Sequence, residues 1–292
     1  MELHALKVFV AVATEKSFSR AAEKMSRTQP AVSLAIQRLE NELNVKLIDR
    51  LSKDLQLTDA GQIVFDHARR FENLERELDT SLAELRDNSA GRLTIGANES
   101  SSLYLMQHIQ RYRQSFPGVR VEVRRSLSSR IPAMLVDGDL ELGVISFDPL
   151  DDRIESTVIY TDHVALVVGP MNKLAARGTV SIAELSAESF VAHNVLSPYR
   201  DIIIREFQKH RVPLNIQLEM PTVETIRKMV QRGEGVAFLP HMCVESELAA
   251  GTLKEVRVPE LEYVERKIRL VHPSKRALSH AAAAFLGLVR QT

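Results

Sequence analysis

The sequence has only one cysteine and no long apolar run, and these absences exclude several classes of protein. Its 292 residues include one cysteine, Cys243, which excludes an intramolecular disulfide and a thiolate metal cage and fits a reducing compartment. We expect Cys243 to be a small buried side chain. No segment reaches the roughly 18 uninterrupted apolar residues of a membrane span, and the acidic start lacks a signal-peptide cleavage site. The expected location is therefore the cytoplasm, without membrane contact.

Net charge is also lacking. Lys plus Arg number 38 and Asp plus Glu number 38, so the whole molecule has no field that would draw it to nucleic acid. Any DNA contact must therefore be local. Glycine and proline are not in excess, and 45% hydrophobic with 26% charged residues is typical of folded proteins. The length predicts two or three folding units.

Helical patterns open the chain. Apolar spacing predicts a helix from Leu3 to about Glu15 and a shorter one that ends near Met25. A third helix begins at Thr28, whose hydroxyl can accept a backbone N–H, with Pro30 in the first turn, where its missing donor is harmless. It runs to about Asn44. Residues 46–58 then form a short two-sided segment that suits a small β-wing.

The outward face of the third helix carries side chains suited to DNA. Gln29, Ser33 and Gln37 lie about one turn apart and could reach base edges, while basic residues could pair with phosphates. Between residues 16 and 38 there are five basic residues and one acid, Glu23. The predicted DNA-binding residues are Arg20, Lys24, Arg27, Thr28, Gln29, Pro30, Ser33, Gln37, Arg38, Arg50 and Lys53. A helical bundle used for protein contacts has the same periodicity and stays open at this point.

A long amphipathic helix is predicted from Asp59 to about residue 90. Its apolar residues alternate three and four apart, which is a coiled-coil pattern, and a helix with one apolar stripe needs a partner helix. The pattern consists of Val64, Ala68, Phe71, Leu74, Leu78, Leu82 and Leu85. The simplest partner is the same helix in a second subunit.

Residues 1–61 resemble the N-terminal domain of the LysR-type transcriptional regulators. The matching positions are Leu6, Phe9, Ser17-Phe18-Ser19-Arg20-Ala21-Ala22, Thr28-Gln29-Pro30-Ala31-Val32-Ser33, Ile36, Leu39-Glu40, Leu47, Arg50 and Leu57-Thr58-Asp59-Ala60-Gly61. Asn44 replaces a common Gly and tolerates a left-handed turn, and Ile48 replaces a common Phe as the apolar plug. The resemblance implies a recognition helix from Thr28, a wing around 46–57, a dimer formed through the linker helices, and commonly a tetramer.

After Gly91 short apolar strands alternate with helices, the pattern of parallel α/β units. The strand candidates are Leu93 to Ala97, Val119 to Val123, Leu140 to Ile145, Val164 to Val168, Phe190 to Ala192, Ile216 to Leu218, Val236 to Leu239 and Ile268 to Val271. The resemblance implies two α/β lobes hinged by crossing strands, similar to periplasmic solute-binding proteins, with a ligand in the cleft.

The expected fold class is thus α/β with an N-terminal all-α winged helix-turn-helix, a long linker helix and a two-lobed effector domain. The corresponding boundaries are 1–58, 59–90 and 91–292. Lobe 1 spans about 91–163 and 267–292, and lobe 2 spans about 164–266.

Helix starts after strands supply the candidate effector site, because free N–H groups at such ends favour anions. The candidates are Ser100, Ser101, Ser102, Ser128, Ser129, Ser146, Ser197, Arg200 and Thr222; those matching hydroxyls commonly used in the family are Ser100, Ser101, Ser129 and Thr222. Ordinary N-capping explains any one of them equally well. Glu99 would repel an anion, so an anionic effector stays open. Scattered histidines give no metal site by their spacing, and no cofactor is expected.

The sequence therefore predicts a DNA-binding transcriptional regulator, not an enzyme, whose DNA binding responds to a small-molecule effector. The alternatives are a solute-binding module, which the second half alone would allow, and an enzyme built on the two-lobed domain. No Gly-x-Ser-x-Gly turn, Gly-rich phosphate loop or zinc signature favours an enzyme.

Overall fold

The structure, a computed structural model, describes residues 2–49, 55–86, 91–195, 197–262 and 264–290. The chain divides into two compact units, one of residues 1–87 and 137–139 and one of residues 88–136 and 140–292. Among the described helices none is long and apolar enough to cross a membrane.

The first unit is helical with a small β-hairpin. Its elements are α1 (Leu3–Glu15), α2 (Phe18–Lys24), α3 (Gln29–Leu43), β1 (Ile48–Asp49), β2 (Gln56–Leu57) and α4 (Asp59–Arg86). The Ser17 hydroxyl caps α2 by accepting the Arg20 N–H, and the Thr28 hydroxyl caps α3 by accepting the Ala31 N–H at 3.4 Å. Asn44 ends α3 with a φ of 53°, the left-handed turn that the sequence predicted.

A buried carboxylate joins α3 to the hairpin. Glu40 is 2% exposed, and its Oε1 accepts hydrogen bonds from the N–H groups of Leu47 at 2.9 Å and Ile48 at 3.4 Å. Lys46 pairs with the other oxygen at 3.2 Å. β1 and β2 then pair antiparallel, with Ile48 opposite Leu57. Glu40 therefore fixes where the β1–β2 hairpin leaves α3, a role that its place in the sequence did not reveal.

The start of α4 is packed closely on the same turn. The Thr58 hydroxyl donates to the Lys46 carbonyl at 2.6 Å and accepts the Gly61 N–H at 2.9 Å. A β-carbon at Gly61 would lie 2.0 Å from the Leu47 carbonyl oxygen. Only glycine therefore lets the first turn of α4 lie this close to the backbone of Leu47.

The predicted apolar stripe of α4 has two parts. Ala68 is buried and Val64 packs against the core of the first unit. Further along, Phe71, Leu74, Leu78 and Leu82 are 45%, 61%, 58% and 46% exposed. The long helix thus presents a row of large apolar side chains that its own chain does not cover.

The second unit is α/β. Its strands are β3 (Gly91–Ala97), β4 (Val119–Arg125), β5 (Leu142–Ile145), β6 (Ile154–Val168), β7 (Phe190–His193), β8 (Ile216–Met220), β9 (Ala237–Pro240), β10 (Lys254–Val256) and β11 (Glu265–Pro273). Its helices are α5 (Glu99–Ser115), α6 (Ile131–Val136), α7 (Pro198–Lys209), α8 (Val223–Gln231), α9 (Glu245–Ala249) and α10 (His280–Arg290). The sheet order is β10-β6-β11-β5-β3-β4, β9 also pairs with β6, and β7 pairs with β8.

Strand β6 carries the chain from one group of strands to another. Its residues from Ile154 to His163 pair antiparallel with β11, whereas those from Val164 to Val168 pair with β9 and β10. The change of partner falls after His163. Sequence reasoning missed the first part of β6 and all of β10, because their alternating polar residues lack an apolar run.

Separate apolar cores lie on either side of this change. Leu93, Ile95, Leu142 and Phe285 belong to a buried cluster around β3, β5 and α10. Phe190, Phe207 and Val256 belong to another around β7, α7 and β10. We refer to these parts of the second unit as lobe 1 and lobe 2.

Candidate DNA-binding surface and effector cavity

The outer face of α3 presents the side chains that the sequence selected. Gln29 and Gln37 are exposed and Ser33 between them is half-buried, while Val32, Ile36 and Leu39 are buried on the opposite side. Spacings of four residues place the three polar groups on one helix face. The remaining exposed candidates are Arg20, Lys24, Arg27, Thr28, Pro30 and Arg38; Arg50 and Lys53 lie outside the described residues.

Two of the basic candidates already have partners. Lys24 Nζ lies 2.6 Å from the Glu15 carboxylate, and the Arg20 guanidinium donates to the Glu15 backbone carbonyl. The hydrogen bond from Lys24 lowers the pKa of Glu15 below its usual value, so Glu15 is an anion on this surface. Glu15 lies one residue before the segment whose charge the sequence analysis counted, and it offsets part of that positive charge.

Lobe 1 and lobe 2 enclose a cavity of about 630 Å³. The walls are mainly apolar, with Phe190, Ile203, Leu214 and Phe238 among them. A cavity of this size accepts a small organic molecule. Sequence reasoning offered no means of finding these walls, because an apolar residue that lines a cavity looks the same as one in a core.

Six of the nine predicted effector residues line this cavity: Ser100, Ser128, Ser129, Ser146, Ser197 and Arg200. Ser197 also caps α7 by accepting the Arg200 N–H at 3.2 Å. The Tyr199 hydroxyl donates to the Ser146 carbonyl at 2.5 Å, which joins the start of α7 to the end of β5.

The other three candidates are not among the lining residues. Ser101 is fully buried beneath the start of α5, and the Ser102 hydroxyl donates to the Asn98 carbonyl at 2.7 Å. Thr222 caps α8 by accepting the Thr225 N–H at 3.1 Å. These positions show ordinary helix-start geometry.

A carboxylate of the protein occupies the start of α8. Glu99 Oε1 accepts the Val223 N–H at 2.9 Å, and Glu99 Oε2 lies 3.5 Å from His193 Nε2 and 3.7 Å from Arg125 Nη2. Glu99 belongs to the first turn of α5 and Val223 to that of α8, so this contact links lobe 1 to lobe 2. An anion from solution would meet this carboxylate there.

Three guanidinium groups also line the cavity. Arg200 donates to the His193 carbonyl and to Glu219, both at 2.8 Å, and Arg266 pairs with buried Asp162 at 2.5 Å. Arg125 is more exposed. Sequence reasoning missed Arg125, although it ends β4 directly before the predicted turn at 127–130, and the strand-end rule would have found it.

The single cysteine is not poised for chemistry. Cys243 is 2% exposed, and burial raises the pKa of its thiol to about 11. At neutral pH the group is therefore a thiol and not the reactive thiolate. This agrees with the expectation of a small buried side chain.

Comparisons with known proteins agree with this architecture. Residues 3–62 match the family described as bacterial regulatory helix-turn-helix protein, lysR family, and residues 86–292 match the LysR substrate binding domain. A probable RuBisCO transcriptional regulator of Cyanophora paradoxa is 30% identical over 290 residues, covering 97% of this chain and 89% of the relative. A second, of Synechocystis sp., is 28% identical over 291 residues, covering 97% and 84%.

A solved structure shares the fold over the full length. Full-length CbnR complexed with its target DNA superposes with a TM-score of 0.73 at 22% identity, covering 100% of this chain and 99% of that one. The matched relatives and neighbours are transcriptional regulators and not enzymes.

Proposed function

Because this chain belongs to the LysR family of transcriptional regulators, we propose that its DNA binding is controlled by a small molecule held in the cavity between lobe 1 and lobe 2. The observation that carries the proposal is the cavity of about 630 Å³, which combines apolar walls with hydroxyls and guanidinium groups. Such a site can bind an apolar body and orient a polar head group. We expect the protein to act in the cytoplasm, where a regulator can reach DNA.

For the DNA contact we propose a division of roles. Gln29, Ser33 and Gln37 contact base edges in the major groove, since they share the exposed face of α3. The phosphate contacts come from Arg20, Lys24, Arg27, Thr28 and Arg38, and from Arg50 and Lys53 in the predicted wing, whereas Pro30, which has no N–H to donate, contacts the DNA by packing alone. The proposed domains keep the boundaries 1–58, 59–90 and 91–292.

The exposed stripe of α4 supports a homodimer. Four large apolar side chains in one row are costly to leave in water, at roughly 25 cal/mol per Å² of apolar surface, and a copy of the same helix offers a complementary stripe. The dimer, which a tetramer would extend, holds two recognition helices at a fixed separation, as DNA half-sites require.

For the effector we propose an anionic head group on an apolar body. Arg125, Arg200 and Arg266 line the cavity together with hydroxyl groups. Arg200 and Arg266 are paired with Glu219 and Asp162, so Arg125, which is 65% exposed and 3.7 Å from Glu99, is the guanidinium that would meet the anion first. The anion would therefore compete with Glu99 for the positive end of α8, where free N–H groups favour negative charge. Displacing Glu99 would break the contact between the lobes, which gives the effector a way to change their arrangement.

A screen of small organic acids and amino acids by thermal shift tests this function. A compound bound to the folded state raises the unfolding midpoint, and it should also change the affinity of the chain for its operator DNA. Ser129→Trp places a large side chain at the cavity and should abolish both effects. Ser246→Trp, an exposed position on α9 outside the cavity, is the matched control and should keep them. Hits that survive Ser129→Trp unchanged would contradict the proposal.

A further inference from the structure

Two histidines and a glutamate from distant parts of the sequence meet on the surface of lobe 2. His163 ends the first part of β6, His241 follows β9, and Glu255 lies on β10. His163 Nε2 is 2.9 Å from Glu255 Oε1, and His241 Nδ1 is 3.0 Å from Glu255 Oε2. The two imidazole rings stack with centroids 4.5 Å apart and planes inclined by 28°.

The sheet explains why these groups come together. Glu255 pairs with Val167 and Pro240 pairs with Val164, so β9 and β10 flank β6 on its two sides. Because Pro240 lies opposite Val164 in an antiparallel pair, the next residues, His241 and His163, come side by side, and their rings stack. Spacing in the sequence could not show this cluster, since its members are 78 and 14 residues apart.

The spacing of the donor atoms fits one metal ion. All three ligand atoms lie within 4.8 Å of one another. Ligand bonds of about 2.0–2.2 Å around Zn²⁺ place tetrahedral donors roughly 3.4 Å apart. The two nitrogen-to-oxygen distances, which run to different oxygens of Glu255, would open by a few tenths of an ångström to reach that value. Donor atoms as far as 4.8 Å apart would have to come closer by rotation of the side chains.

The donor chemistry selects the class of ion. Two imidazoles with one carboxylate suit Zn²⁺ and its first-row neighbours, whereas Mg²⁺ and Ca²⁺ prefer oxygen ligands. A neutral imidazole can carry its proton on either ring nitrogen, so each facing nitrogen can become an acceptor without loss of a proton. Glu265 lies directly opposite His163 on β11 and adds negative charge near the cluster.

The cluster is open to solvent on one side. The His163 side chain is 50% exposed, and those of His241 and Glu255 are 28% and 29% exposed. His163 and Glu255 also line a second cavity of about 480 Å³, which shares Val164 and Phe238 with the effector cavity. An ion can therefore enter and keep one position for water.

We propose that His163, His241 and Glu255 bind one divalent first-row transition metal ion such as Zn²⁺. The ion would tie β6, β10 and the turn after β9 together behind the wall of the effector cavity. This site does not depend on the effector proposed above.

Calorimetric titration of the tag-free, chelator-treated full chain with ZnCl₂ tests the site. We expect one ion per chain and a rise in the unfolding midpoint with zinc. His163→Gln, His241→Gln and Glu255→Gln should each weaken binding about tenfold or more, since even outer-shell partners of a metal are worth that factor. His241→Cys should bind zinc more tightly than His241→Gln does, because a thiolate is also a zinc ligand.

His210→Gln is the matched control. His210 lies 3.5 Å from Glu206 and so forms a histidine–carboxylate pair, but its loss should leave zinc binding unchanged. Thermal melts without metal establish that each variant folds. The proposal is overturned if the wild-type chain binds no stoichiometric zinc, if the three glutamine variants bind as tightly as wild type, or if MgCl₂ binds equally well.

Discussion

The carboxylate of Glu99 accepts the backbone N–H of Val223 at 2.9 Å, so a side chain of lobe 1 occupies the helix start in lobe 2. Its second oxygen is buried and has no hydrogen-bond partner within the described residues. Glu99 therefore fills the position that the proposed anionic ligand would take, and its contact with Val223 also joins the two lobes. In the proposed function, the same group would therefore affect both the ligand preference and the contact between the lobes.

Glu99→Gln should strengthen the binding of anionic ligands. The amide retains an oxygen for the Val223 N–H but removes the repulsion, which for unit charges 4 Å apart is about 4 kcal/mol at an effective dielectric constant of 20. Allowing for screening, we expect a gain of about tenfold, or about 1.4 kcal/mol. The measurement compares organic acids with their neutral amides on the wild-type and variant chains.

The neutral amides supply the control for that comparison. Their affinity should not change in Glu99→Gln, because they carry no charge to repel. Tighter binding of amides and acids alike would indicate a looser cavity, and weaker binding of the acids would refute the assignment of Glu99.

Glu15→Gln should steepen the salt dependence of DNA binding. In the wild-type chain the Glu15 carboxylate, 2.6 Å from Lys24 Nζ, competes with the proposed phosphate contact of Lys24, and the change removes that competitor. Each added phosphate contact steepens the slope of log affinity against log salt by about 0.9. Titrations of one labelled duplex at several salt concentrations give the slope, and a flatter slope than wild type would contradict the prediction. Arg27→Ala, which removes an exposed cation, should flatten it.

Leu78→Glu should separate the proposed dimer. Leu78 is 58% exposed in the middle of the stripe formed by Phe71, Leu74, Leu78 and Leu82, and a charge there would lie between two apolar helices at a cost of several kcal/mol. Sedimentation or native mass spectrometry reports the mass. Arg76→Glu, on the opposite side of α4 by helical geometry, should keep the wild-type mass; equal dissociation by both variants would speak against the stripe.

Glu40→Ala should destabilise the first unit by about 1–3 kcal/mol, because it leaves the N–H groups of Leu47 and Ile48 without their acceptor. Burial alone would raise the pKa of Glu40, but those hydrogen bonds and Lys46 outweigh it and lower the pKa below 4.5. A lowered pKa means that this stabilisation is present above pH 4.5 and is lost as pH falls through the folded-state value.

Thermal unfolding measured as a function of pH tests whether acid removes the stabilisation that ionised Glu40 provides. Wild-type stability should fall at acid pH more than that of Glu40→Gln, which has no charge to lose there. Parallel pH profiles would show that Glu40 contributes nothing through its ionised form.

The sequence predicts local features of this chain better than distant ones. The Thr28 cap, the Asn44 turn and the buried Ile36 stripe follow from residues close together in sequence, and all three appear in the structure. Long-range contacts do not follow from spacing, so the bond from Glu99 to Val223 and the cluster of His163 with Glu255 came only from the fold.

Charge counts have a similar limit. Counting the charged residues of a segment treats Lys24 as an unpaired cation, whereas the structure pairs it with Glu15 across the turn between α1 and α2. Strand β6 shows the same limit for pattern: its first part pairs with β11 and its last residues pair with β9 and β10, and no local pattern in the sequence indicates this change of partner.

The most direct test of this account measures equilibrium DNA binding of the full chain with an operator fragment selected from genomic DNA and with a scrambled duplex, at one fixed salt concentration. We predict that Gln29→Ala lowers operator affinity by about 1–3 kcal/mol and leaves scrambled-duplex affinity nearly unchanged, because Gln29 contacts a base and not a phosphate. Equal losses on both duplexes, or no preference of the wild-type chain for any genomic fragment, would contradict the assignment of α3 as the recognition helix.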